Sequence, residues 1–125
     1  MKKKILLSIL CICMVLTMMP TVGYAAAVGD LYVNGQLIYS SGGGGTGNVP
    51  NVNFDPETST LTLTNANITQ SDKNAGIYST FPLTINLEGN NSISIATQSG
   101  SESFGIRTMG RSGVNLTIQG GGALQ

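Results

Sequence analysis

The chain has 125 residues, six Lys or Arg against six Asp or Glu, no His and no Trp. Three of its cations stand at Lys2, Lys3 and Lys4, so the part after residue 27 keeps only Lys73, Arg107 and Arg111 against six acids, a net charge of −3. Three scattered cations on a weakly acidic surface cannot neutralise a run of phosphates, which excludes nucleic acid as the expected partner. Without His, and without Cys beyond position 13, the usual acid–base and nucleophile constellations cannot be built.

The basic start, Met1-Lys2-Lys3-Lys4, is followed by an apolar stretch from Ile5 to Met19 interrupted only by Ser8 and Thr17. Pro20 breaks it, and Gly23-Tyr24-Ala25-Ala26-Ala27 supplies small residues suited to signal peptidase. About 15 apolar residues are too few for the roughly 20 that cross a bilayer. Residues 1–27 therefore read as a secretory signal peptide, with cleavage after Ala25 or after Ala27 fitting equally well. The membrane is met only through this segment before cleavage, and the protein is expected outside the cytoplasm, secreted or associated with the cell surface. Cys11 and Cys13 lie inside the apolar run, preceded by Leu10 and Ile12 rather than by the small residue a lipid-modified cysteine requires. About 98 residues remain, with no cysteine to form a disulfide.

The pattern of that remainder is β throughout. Leu31-Tyr32-Val33 and Gln36-Leu37-Ile38-Tyr39 flank Asn34-Gly35, a strong signal for a two-residue hairpin. Ser40 to Asn48 is a Gly-rich connector, lacking the Lys-Ser/Thr ending of a phosphate-cradling loop. Val52-Asn53-Phe54 leads into the turn Asp55-Pro56-Glu57-Thr58, and the alternating Thr60-Leu61-Thr62-Leu63-Thr64 completes a second hairpin. Asp55 and Glu57 are expected to serve that turn.

From residue 61 the sequence echoes itself. Leu61-Thr62-Leu63 returns as Leu83-Thr84-Ile85 and Leu116-Thr117-Ile118, at intervals of 22 and 33 residues. Gly76-Ile77-Tyr78-Ser79 returns 29 residues later as Gly105-Ile106-Arg107-Thr108. Asn65-Ala66-Asn67-Ile68 and Asn90-Asn91-Ser92-Ile93 are corner-like, since Asn tolerates positive φ at small cost. Short strands recurring at such intervals, with no helical period between them, predict an all-β parallel β-helix, a solenoid of stacked coils. Residues 28–60 would form its N-terminal hairpin cap and residues 61–125 an incomplete set of coils. An antiparallel β-sandwich is the alternative. The polar stretch Thr97 to Ser103 reads as an insertion that lengthens the second coil.

These residues also carry a resemblance. Leu31–Gly35, Asn53–Leu63, Ala75–Ser79 and Leu83–Asn91 together resemble a class of secreted Firmicutes surface proteins, similar to the carbohydrate-binding domain-containing β-helix proteins of cellulolytic clostridia. The resemblance covers most of residues 31 to 122. It implies an extracellular β-helix with polysaccharide as the expected partner, and it brings no catalytic signature. Such proteins run for more coils, so the chain is expected to be a fragment of a longer surface protein, or else to pair end to end with a second copy.

Glycosidic hydrolysis uses two facing carboxyls, and calcium-assisted cleavage gathers several. Here the acids are spread singly, so no enzyme activity, no cofactor and no metal site is expected. Sugar-binding modules set an aromatic ring against a pyranose beside orienting polar groups. Among Tyr32, Tyr39, Tyr78 and Phe81, the expected binding residues are Tyr78 and Phe81, with Arg107 as the neighbour of Tyr78 by the Gly-Ile echo. Tyr78 follows inward Ile77 and should point outward. The competing expectation is a structural spacer or adhesion stalk with no ligand of its own. Three Asn-x-Ser/Thr sequons, at Asn67, Asn90 and Asn115, are expected by chance in so Asn- and Thr-rich a chain.

Overall fold

A computed structural model of the chain describes residues 25–97, 99–110 and 114–125. Residues 1–24, which hold most of the expected signal peptide, and Arg111 lie outside the described residues.

The first strands form as their turn dictates. β1 (Asp30–Val33) and β2 (Gln36–Ser40) pair antiparallel through Asn34 and Gly35, whose φ angles of 51° and 76° are those of a turn that follows the right-handed strand twist. β3 (Val52–Asp55) and β4 (Thr60–Thr64) form the second hairpin, with Val52 opposite Leu63 and Asp55 opposite Thr60. Alternation then decides which side chains go inward. Leu61 and Leu63 are buried, whereas Thr60, Thr62 and Thr64 are not.

From β4 onward the strands pair with one another only in parallel. The chain continues through β5 (Asn67–Ile68), β6 (Ala75–Ser79), β7 (Leu83–Glu88), β8 (Asn90–Ile93), β9 (Phe104–Thr108), β10 (Leu116–Gly120) and β11 (Ala123–Leu124). Three sheets result, in the orders β2-β1-β6-β9, β10-β7-β4-β3 and β11-β8-β5. The described residues are thus all-β, without a helix, in mixed sheets having five parallel and three antiparallel pairings. From β4 onward the chain visits the three sheets in a fixed order: β4, β5, β6, then β7, β8, β9, then β10, β11. The two hairpins sit at one end, β1 against β6 and β3 against β4, both antiparallel.

The core lies between the sheets. Leu31, Val33, Leu61, Leu63, Ile68, Ile77, Leu83 and Ile85 are almost wholly buried. Aliphatics sit above aliphatics from one circuit to the next: Leu61 beside Ile85, Leu63 beside Leu87, Ile68 beside Ile93, Ile77 beside Ile106. Each such side chain contributes about 1.5–3 kcal/mol when fully removed from water. Burial fades along the stack, and on edge strand β10 Leu116 and Ile118 are 39% and 48% exposed.

Two details of the repeat differ from the sequence reading. Leu116-Thr117-Ile118 pairs in register with Leu83-Thr84-Ile85, as the echo implies. Leu61-Thr62-Leu63, however, pairs with Ile85-Asn86-Leu87, two residues further along. A slip of two keeps every side chain on its own face, so apolar spacing alone cannot detect it. The extra length of the second circuit is also divided. The β8–β9 connection (94–103) is longer than β5–β6 (69–74), and β9–β10 (109–115) is longer than β6–β7 (80–82). The polar stretch at 97–103 accounts for only part of it.

Candidate functional site

The outer face of the β2-β1-β6-β9 sheet carries a continuous row of large side chains. Tyr32 lies between Leu31 and Val33, both fully buried, so alternation sends its ring outward. Tyr78 stands likewise between Ile77 and Ser79. The antiparallel β1–β6 register sets Tyr32 opposite Tyr78, and the parallel β6–β9 register sets Tyr78 opposite Arg107. On the far side, Tyr32 faces Leu37 of β2. The row Leu37, Tyr32, Tyr78, Arg107 therefore crosses four strands, about 14 Å at the usual strand spacing.

The Tyr32 and Tyr78 rings have centroids 6.2 Å apart and are tilted by 60°. They do not cover one another face to face, and both tyrosines are half-exposed. Two cations border them. The Arg107 guanidinium lies 5.1 Å from the Phe104 ring centroid, and the Lys73 ammonium lies 5.6 Å from that of Tyr32. Lys73 also has an exposed carboxylate neighbour, Asp72, at 3.9 Å. An exposed pair of that kind holds its partners weakly and leaves the ammonium open to exchange.

Lys73 is delivered by the β5–β6 loop, in which Lys73 and Asn74 both have positive φ, 50° and 60°. The loop is tied to the first hairpin by the Asn34 side chain, whose Oδ1 accepts from the N–H groups of Thr69 and Gln70 at 2.9 and 2.8 Å. The Asn34 N–H in turn donates to the Gly76 carbonyl at 2.9 Å. One turn residue thus makes the hairpin and anchors the loop that brings the lysine to Tyr32.

The sequence-predicted residues divide. Tyr78 and Arg107 come together as the Gly-Ile echo implies. Phe81 does not join them: it is 3% exposed and packs in the core against Tyr39 and Phe54, at centroid separations of 6.0 and 5.8 Å. The cause is the corner after β6. The buried Ser79 hydroxyl donates to the Phe81 carbonyl at 2.8 Å and accepts from the Phe81 N–H at 3.2 Å, turning the chain so that the ring folds inward. Tyr39 is engaged in the same cluster, its hydroxyl donating to the Ala27 carbonyl at 2.7 Å. Tyr32 and Lys73 take the place expected of Phe81. Alternation gave Tyr32 its outward direction in the sequence, but nothing there disclosed that β1 would lie against β6.

An open cleft of about 450 Å³ lies elsewhere, between residues 25–28, the β3–β4 turn and the start of β7. Phe81 reaches its wall, but Tyr78 and Arg107 do not. Among the described residues no three His, Cys, Asp or Glu side chains gather closely enough to hold a metal ion. Asp55 is occupied by its turn. Its carboxylate accepts from the Thr58 hydroxyl at 2.7 Å and the Glu57 N–H at 3.0 Å, bonds that hold it below the usual carboxylate pKa.

Comparison with protein-family models, with curated proteins and with solved structures returns no match for this chain.

Proposed function

We propose that the chain is a secreted or cell-surface segment beginning a parallel β-helix, with residues 28–60 as its cap, and that it binds polysaccharide without catalysis. The fixed order in which the chain visits three sheets supports the β-helix over a sandwich of two facing sheets, which the mixed sheets also fit. The resemblance to Firmicutes β-helix surface proteins points the same way.

The observation that carries the binding reading is the row Tyr32–Tyr78–Arg107. Two tilted, half-exposed rings offer the apolar surface on which a pyranose stacks, and the cation at one end of the row suits a carboxylate or hydroxyl of the same chain of sugars. With Lys73 at the Tyr32 ring, both cations border the aromatic pair, which favours an acidic polysaccharide over a neutral one. The isolated acids support binding over cleavage, because hydrolysis needs two carboxyls facing across one bond.

Affinity electrophoresis through gels carrying neutral and acidic polysaccharides tests this. The expected result is retardation in an acidic gel, weakened in Tyr78→Ala and Arg107→Gln. Uniform mobility of a folded, monomeric protein in every gel would remove the binding reading. A structural spacer or stalk would then stand, which the exposed Leu116 and Ile118 of edge strand β10 favour independently by offering a surface for continued stacking.

A further inference from the structure

We infer that export processing cuts the bond between Ala25 and Ala26, so that the mature chain begins at Ala26. This rests on the reading of residues 1–27 as a signal peptide. It decides between cleavage sites that the sequence leaves equivalent.

Signal peptidase asks for small residues at the last and third-last positions before the cut. A cut after Ala25 has Ala25 and Gly23 there, and a cut after Ala27 has Ala27 and Ala25. A cut after Ala26 would put bulky Tyr24 in the third-last place. Sequence therefore admits two bonds, only two residues apart.

The fold separates them. Ala25 and Ala26 are exposed, but Ala27 is 5% exposed and belongs to the hydrophobic core. Its N–H donates to the Pro56 carbonyl at 2.9 Å, and its carbonyl accepts from the Tyr39 hydroxyl at 2.7 Å. Ala27 thereby ties the N-terminal segment to the β3–β4 turn and to the Tyr39–Phe54–Phe81 cluster. Cutting after Ala27 would delete both bonds and leave the part-buried Tyr39 hydroxyl without that acceptor. It would also start the chain on Val28, which is 78% exposed. Cutting after Ala26 would convert the Ala27 amide into an ammonium at a buried position, an unfavourable place for a charge. Cutting after Ala25 keeps the Ala27 amide and carbonyl intact. The new ammonium then falls on exposed Ala26, beside the open cleft that Glu57 also lines.

The test is to express the full 125-residue chain in a secreting bacterium and read the N-terminal sequence and intact mass of the exported protein. The expected start is Ala-Ala-Val-Gly-Asp. A start at Val28 or Ala27 overturns the inference. Export with residues 1–25 still attached overturns it too, and is told apart by mass as a failure of the signal-peptide reading itself. Gly23→Leu, which spoils only the upstream bond, should abolish processing or move the start to Val28; an unchanged product would mean that the upstream bond is not the one cut. The structural premise has its own measurement. A chain starting at Val28 should melt at least ~5 °C below one starting at Ala26. Should the shorter chain fail to fold, Tyr39→Phe in the Ala26 chain removes the hydroxyl alone and should lower Tm by about 4–8 °C. Equal melting of the parent and Tyr39→Phe would refute the role given to Ala27.

Discussion

Asn91 hydrogen-bonds to the circuits before and after its own, and replacing it with alanine should cost about 3 kcal/mol. It is 2% exposed, in β8 just past the corner that follows β7. Its Oδ1 accepts from the Ala66 N–H at 2.8 Å, one circuit earlier. Its amide nitrogen donates to the Glu88 carbonyl at 3.1 Å and to the Ala123 carbonyl at 3.3 Å, one circuit later. Alanine leaves the N–H of Ala66, itself a buried residue, without that partner, at about 1–3 kcal/mol. The two carbonyls lose about 0.5–1.5 kcal/mol each, offset in part where water reaches them. A loss near 3 kcal/mol corresponds to a fall in Tm of about 12–24 °C for a chain of this size. Thermal melting followed by circular dichroism measures it directly. Asn67→Ala is the control. Asn67 is exposed and its side chain accepts from the Ser92 hydroxyl in an exposed bond of 2.8 Å, so its loss should stay within about 0.5 kcal/mol. A Tm for Asn91→Ala within ~3 °C of the parent, or equal to that of Asn67→Ala, would refute the reasoning.

Phe81→Ala should destabilise by about 3–5 kcal/mol in urea titration, because it empties a buried ring site beside Tyr39 and Phe54. Gly76→Ala should cost about 1–3 kcal/mol by the same measurement, since its Cβ would lie 2.9 Å from both Ile93 Cγ2 and Ile95 Cδ1. Asp55 is held below its usual pKa by the Thr58 hydroxyl first and the Glu57 N–H second. Its stabilisation is therefore present above the unfolded value, about pH 4, and lost as pH falls through the lower folded value, so Asp55→Ala should melt below the parent at pH 7 and the gap should close only once the pH drops below that lowered value. Ile118→Lys should leave Tm within a few degrees of the parent yet lower light scattering at high concentration, because it places a charge on the exposed edge strand β10.

The hairpins were legible because local chemistry determines them. Asn34-Gly35 can adopt two successive positive φ angles, and Asp55 closes its own turn with the N–H of Glu57. The pairing of Tyr78 with Arg107 was legible because the Gly-Ile strands repeat in register. Phe81 was misplaced because the deciding contacts, Ser79 to the Phe81 backbone and the ring to Tyr39 and Phe54, involve a corner and two distant hairpins rather than any alternation. Tyr32 shares the outward parity of Tyr78, but β1 meets β6 across more than forty residues of chain, and no local signal names that partner.

Alternation fixes the face on which a side chain stands and leaves its register open to slips of two, so something else must select among registers. At the first corner that role falls to polar side chains. Asn65, at φ 55°, accepts from the Asn90 N–H at 2.9 Å, Asn91 reaches Ala66, and the Ser92 hydroxyl reaches Asn67 at 2.8 Å. Each bond joins a residue to its partner one circuit away, and a slip of two would break all three while leaving the leucines buried. Between β6 and β9 the selector is steric. A Cβ at Gly76 would approach the Gly105 carbonyl oxygen to 3.0 Å as well as Ile93 and Ile95, so this position excludes a larger residue. Shifting β6 by two would bring Asn74 or Tyr78 into a gap that only glycine fits. The glycine that opens the Gly-Ile echo thus holds Tyr78 opposite Arg107 two residues further along the same strand. The outer row of aromatic and cation is set by packing on the strand that carries it.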